Sequence, residues 1–109
     1  MIINGVNVIL REKVPSDDAF VSATWVRSVV KALRPHFYSH AIRWIRPQVE
    51  RSITNDTIRV ACLEEDPNVI LAWAAWRDGV PIYAYTTKND HLDMRRQGLA
   101  KMLTAKADL

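Results

Sequence analysis

Val69-Ile70-Leu71-Ala72-Trp73-Ala74-Ala75-Trp76, then Arg77-Asp78-Gly79, then Val80-Pro81-Ile82-Tyr83-Ala84-Tyr85-Thr86-Thr87, is the stretch that decides the fold class. The first block is an apolar run of strand length with no polar alternation, as expected of a strand covered on both faces. Arg77-Asp78-Gly79 supplies the turn chemistry that reverses a chain. The block after it carries Ile82, Tyr83 and Tyr85, residue types that fit a pleated surface. Pro81 cannot donate to a ladder, so its end of that strand belongs near an edge.

Upstream, Glu65-Asp66-Pro67-Asn68 reads as another turn. Before it, Ile58, Val60 and Cys62 alternate with Thr57, Arg59 and Ala61, the pattern of a half-buried strand. Three consecutive antiparallel strands are therefore expected from Thr57 to Thr87. Nearer the N-terminus, Val6 to Lys13 alternates loosely as a first strand, and Val14-Pro15-Ser16-Asp17-Asp18 breaks it with helix N-cap residues. Ala19, Ala23, Val26, Val30 and Leu33 then recur at helical steps, with Phe20 and Val29 widening the stripe. Pro35 ends that helix near Arg34. A second helical pattern runs through Ala41, Ile42, Ile45, Val49 and Ile53, and Pro47 within it predicts a kink or two short helices. Thr54-Asn55-Asp56 closes it.

After Lys88-Asn89-Asp90-His91 the pattern turns helical again, with Leu99, Met102 and Leu103 on one face. The whole reads as one α/β domain of the α+β type, a mostly antiparallel sheet with helices packed on it, over residues 1–109. The length suits one core, and 49% hydrophobic content is enough to build it. Cys62, the sole cysteine, leaves no intramolecular disulfide. The first ten residues lack the basic region and cleavage site of a secretory leader, and no apolar run approaches bilayer length, so a cytoplasmic protein is expected.

The segment Met94-Arg95-Arg96-Gln97-Gly98-Leu99-Ala100-Lys101 carries the chemistry. It stands where a loop enters a helix, and the free N–H groups of a helix N-terminus attract phosphate. Gly98 and Ala100 let an anion come close to those amides, and the guanidinium groups of Arg95 and Arg96 match phosphate oxygens. Here the sequence resembles the GNAT superfamily of acyl-CoA-dependent N-acyltransferases. The coenzyme A motif of that family is Gln or Arg, two residues, Gly, one residue, then Gly or Ala. Arg95, Gly98 and Ala100 fill those places, and the order of strand, two helices, three antiparallel strands and motif helix is similar along nearly the whole chain.

The resemblance implies an N-acyltransferase that takes acetyl-CoA or another acyl-CoA and acylates an amine on a small molecule or protein. It implies pyrophosphate on the backbone of Arg96, Gln97, Gly98, Leu99, Ala100 and Lys101, and pantetheine along Tyr85, Thr86 and Thr87. It also implies a domain lacking the family's strands beyond the motif helix. The last strand then has an unpaired side, which a second copy is expected to cover as a homodimer. A form of this fold that has lost catalysis would serve as an interaction module for a protein partner, and short chains of this kind resemble proteins of phage genomes.

Acyl transfer to an amine needs a base, a polarised carbonyl and a proton for the departing sulfur. Glu64, paired with Glu65, is the candidate to draw in a cationic amine, although such pairs are more often a solvated turn. Tyr83 and Tyr85 point to one face of their strand, and either is a candidate proton donor, although sheet packing explains them equally well. His91 titrates near neutrality but has no visible companion. Cys62 reads as packing rather than a nucleophile. His36 and His40 would clasp a metal only if both were helical, and no third ligand follows, so no metal site is assigned. The four tryptophans read mostly as core, which counts against base stacking. The net charge of +3 is a modest bias, and Arg27, Lys31, Arg34, Arg43, Arg46 and Arg51 along the helices keep a nucleic-acid reading as a third class.

Overall fold

The computed structural model describes residues 2–3, 5–34, 36–87, 101, 103 and 104. The architecture is α+β, with a five-stranded antiparallel sheet in the order β1-β2-β3-β4-β5 and two long helices. The strands are β1 (Ile2–Ile3), β2 (Val6–Glu12), β3 (Thr57–Leu63), β4 (Ile70–Arg77) and β5 (Val80–Thr86), and the helices are α1 (Asp18–Leu33) and α2 (Tyr38–Asn55). The chain divides into two compact units, residues 1–13 with 57–109 and residues 14–56.

In the sheet unit, the β4–β5 hairpin follows from its turn. Arg77 pairs with Val80, and the two residues between them, Asp78 and Gly79, take φ of 52° and 76°. Two successive positive φ values make the hairpin turn whose twist matches the strands, and they are the reason for the Asp-Gly sequence. A register shift follows between Ala75 and Trp76, where Pro81 faces Trp76 without an N–H to give. Between β3 and β4 the Asp66 carboxylate accepts the Asn68 N–H at 3.2 Å, while the Asp66 carbonyl accepts that of Val69 at 3.0 Å.

Ile70 to Trp76 are buried without interruption, as the sequence predicted for β4. β3 departs from its half-buried expectation, since Ile58 to Leu63 are all buried. Its polar alternate, Arg59, is drawn inside with them, so period-two alternation there did not mark a solvent face. One face of the sheet holds Val8, Ala61, Leu63, Ala72 and Ala74 in a cluster with Leu103. The Trp76 indole Nε1–H donates to the Leu103 carbonyl at 3.0 Å, which fixes that helical residue to the sheet. Lys101 is helical and exposed, while Leu99 and Met102 lie outside the described residues.

In the helical unit, a single 3-10 turn at Pro15–Asp17 leads into α1, and the buried Asp17 carboxylate accepts the Val14 N–H at 2.8 Å. α1 ends as Pro35 foretold. Arg34 turns left-handed, with φ 48°, and its N–H donates to the Val30 carbonyl at 3.2 Å. The buried face of α1 differs from the expected stripe. Val21, Thr24, Trp25, Val26 and Val30 are inside, whereas Ala19, Ala23 and Leu33 are exposed. Thr24 tolerates burial because its hydroxyl donates back to the Phe20 carbonyl at 2.8 Å.

α2 runs from Tyr38 to Asn55 with Pro47 inside, so of the two outcomes expected there the split into two short helices is not found. Ile45, Val49 and Ile53 are buried at helical spacing, so packing of this stripe outweighs the missing donor. Pro47 is exposed, and the Arg43 carbonyl one turn before it has no helical N–H. Pro47→Ala is therefore expected to stabilise the protein by about 1–3 kcal/mol, less whatever the unfolded chain gains in freedom. Urea denaturation checks this, and a loss of stability would mean that the proline ring itself is part of the packing.

Candidate functional site

The candidate site lies at the end of the sheet where β5 finishes. The Thr87 N–H donates to the Leu71 carbonyl at 2.8 Å, and the Thr87 hydroxyl donates to the Ile70 carbonyl at 3.2 Å. Backbone groups alternate in direction along a strand. With Thr87 turned toward β4, Tyr85 turns toward it as well, and Thr86 presents its N–H and C=O to the opposite side. β5 is the last strand in the sheet order, so among the described residues that side is unpaired. Of Tyr85, Thr86 and Thr87, Thr86 is thus the one with a backbone face available to an extended ligand.

Tyr83 and Tyr85 share one face of β5, as their spacing required, and both stack on Trp73 of β4. Their ring centroids lie 5.7 and 6.0 Å from the indole, with interplanar angles of 26° and 24°. Trp73 is wholly buried, whereas the two tyrosines are half-buried. The indole is therefore a floor that orients both phenol rings, a role the sequence reading did not give it.

Glu64 follows β3 and is exposed, with its N–H donating to the Asn7 carbonyl at 3.0 Å. Together with Glu65, Gly5, Val6, Asn7 and Leu63 it lines a cavity of about 460 Å³. β3 ends where β4 begins and β4 begins beside the end of β5, so Glu64 and Thr87 sit at the same end of the sheet. They are separated by two strand spacings, about 10 Å. The structure thus brings Glu64, Tyr85, Thr86 and Thr87 to one sheet end, with Tyr83 two residues further in. Arg95, Arg96, Gln97, Gly98, Leu99 and Ala100, and also His91, lie outside the described residues.

The remaining candidates divide simply. Cys62 is buried and free. His36 precedes α2 and only His40 is helical, where it lies 5.7 Å from the Phe37 ring. Among the described residues no group of three His, Cys, Asp or Glu could hold a metal ion. Trp25, Trp73 and Trp76 are buried as expected, but Trp44 is 68% exposed. No described helix is long and apolar enough to cross a membrane.

No protein-family model matches the chain, and no curated protein matches it in sequence. A solved structure does match in shape: the GCN5-related N-acetyltransferase "Aminotransferase, Class-II" from Rhodopseudomonas palustris, with a TM-score of 0.59 at 15% identity. The match covers 94% of this chain and 63% of that one, so the chain spans under two thirds of the length of the protein it resembles. A five-stranded antiparallel sheet with two helices inserted after the second strand is thus a GNAT-like fold.

Proposed function

We propose that the chain is an acyl-CoA-binding protein of N-acetyltransferase type, which transfers an acetyl group to an amine on a small molecule or protein. The observation that carries this reading is the backbone side of Thr86, unpaired among the described residues, on the strand that precedes the Arg95–Lys101 motif in sequence. Thr86 offers the pantetheine arm a strand-like partner. Beyond it, the amides of Gln97 to Lys101 and the guanidinium groups of Arg95 and Arg96 hold the pyrophosphate. Glu64, directly or through a water, takes a proton from the acceptor ammonium, and the neutral amine attacks the thioester carbonyl. The carbon–sulfur bond breaks, the Tyr83 or Tyr85 hydroxyl gives its proton to the sulfur, and the proton that the acylated nitrogen sheds restores the hydroxyl. The chain works as one domain in the cytoplasm, where Cys62 stays reduced.

Titration calorimetry with acetyl-CoA tests the reading. Saturable one-to-one binding is expected, and no heat at concentrations that fill acyltransferase sites would end it.

The β5 edge supports a second reading, an interaction module without catalysis. Val80 and Ile82 are 55% and 39% exposed on this edge strand, apolar side chains beside unpaired backbone. A second copy adding to this edge gives a homodimer. Sedimentation is then expected to show a dimer that Ile82→Lys converts to monomer, and coenzyme A leaves the melting temperature unchanged. A wild-type monomer at high concentration defeats the homodimer, and a coenzyme A-dependent rise in melting temperature defeats the interaction module.

A further inference from the structure

The helical unit carries a feature lined by none of the residues named above for acyl transfer. α1 and α2 pack on each other and are joined by only four residues, so they form an antiparallel hairpin. Between them runs an open groove of about 690 Å³. Its floor is Ala19, Ala23, Val26 and Val30 of α1 with Ile42 of α2. These are largely the stripe that helical periodicity assigned to the core, and the structure leaves part of it open. Ala19 and Ala23 are exposed, and so small that a neighbouring backbone can come close.

The rim is charged with one dominant sign. Arg27, Lys31 and Arg46 stand along it against a single carboxylate among the described lining residues, Glu50. The bias extends beyond the groove, since Ala19 to Val49 contains Arg27, Lys31, Arg34, Arg43 and Arg46 and no Asp or Glu at all. Ala19 to Lys31 spans about 18 Å of helix, room for three turns of a third helix laid alongside.

We propose that this groove is a docking site for an acidic amphipathic helix of a partner protein, with its apolar stripe on the alanine and valine floor and its carboxylates against Arg27, Lys31 and Arg46. Charge complementarity selects this occupant. A second copy of the chain is disfavoured because α1 and α2 are both basic and would set like charges together. Nucleic acid would satisfy the rim but leave the apolar floor without a partner, and a helix of this kind fills both. The proposal uses none of the residues assigned to coenzyme A and does not rest on that reading.

Fluorescence polarisation with the full chain tests the proposal. The probe is a labelled synthetic helix of about 18 residues, with Leu at i, i+3, i+4 and i+7 and Glu on both flanks. Controls are its Glu-to-Lys twin, a single-stranded oligonucleotide and phosphatidylserine vesicles. The acidic helix is expected to bind saturably. Ala23→Phe, which fills the groove from an exposed position, should weaken it about tenfold or more. Arg27→Glu with Arg46→Glu should weaken it comparably and let the lysine twin bind instead, a charge swap that a folding defect cannot produce. Equal binding of the two peptides to the wild-type chain, indifference to Ala23→Phe, no saturable binding, or tighter binding of oligonucleotide or vesicles than of peptide would each overturn the assignment.

Discussion

Coenzyme A at a hundred times its dissociation constant is expected to raise the melting temperature by about 10 °C, and Gly98→Val is expected to abolish that rise. A ligand bound only by the folded state at this excess adds about 2.7 kcal/mol. In a chain of this size each kcal/mol moves the midpoint by about 4 °C or somewhat more. If the proposed reading holds, the glycine variant removes the effect because a branched side chain at position 98 would keep phosphate away from the motif amides. Its melting temperature without ligand should stay within a few degrees of wild type, so a lost shift reports lost binding. A full shift in the variant would mean that the diphosphate is held elsewhere, and no shift in either protein would remove the cofactor altogether.

Trp73→Ala is expected to cost about 3–5 kcal/mol, the range for deleting a large buried aromatic side chain. The indole is 0% exposed, lies in β4, which is paired on both sides, and supports both tyrosine rings. Against a total stability of about 5–15 kcal/mol, this is enough to leave much of the protein unfolded at working temperature. Urea denaturation and near-ultraviolet circular dichroism measure it together, the second because the stacked rings give an ordered aromatic signal that the variant loses. A cost below about 1 kcal/mol would show that the neighbouring residues collapse into the space and that the tyrosines do not need their floor.

Much of the sheet could be read from the chain. The uninterrupted apolar run of β4 and the Asp78-Gly79 turn fix a hairpin, and Pro81 marks its edge side. What could not be read was which face the tyrosines share. Counting outward from the pair Arg77 and Val80 sets Trp73 opposite Ala84, which would leave Tyr83 and Tyr85 on the other side of the sheet from the indole. The shift beside Pro81 inserts one residue and sets Trp73 opposite Tyr85 instead. One extra residue reverses every side chain beyond it, and nothing in the local sequence announces it except a proline that cannot pair.

The helices were legible in place but not in orientation. α1 has apolar residues around much of its circumference, so the Ala19-Ala23-Val26-Val30-Leu33 stripe and the neighbouring one through Val21 and Trp25 both satisfy helical period. Packing chose the bulkier second stripe, because Trp25 and Val21 release more apolar surface from water than two alanines do. In α2 the local rule against proline lost to the tertiary burial of Ile45, Val49 and Ile53. Trp44 is the converse case, a large aromatic in a helical pattern that packing did not take in. For the candidate site, the sheet end was legible through Tyr85 to Thr87, whereas the availability of Thr86 alone depended on which way Thr87 bonds.

The double attachment of Thr87 gives the molecule a fixed origin for measuring length. With its amide and hydroxyl both tied to β4, Thr87 pins the far end of the hairpin in register, so a residue inserted or deleted between Gly79 and Thr87 has to be absorbed as a bulge within the strand pair.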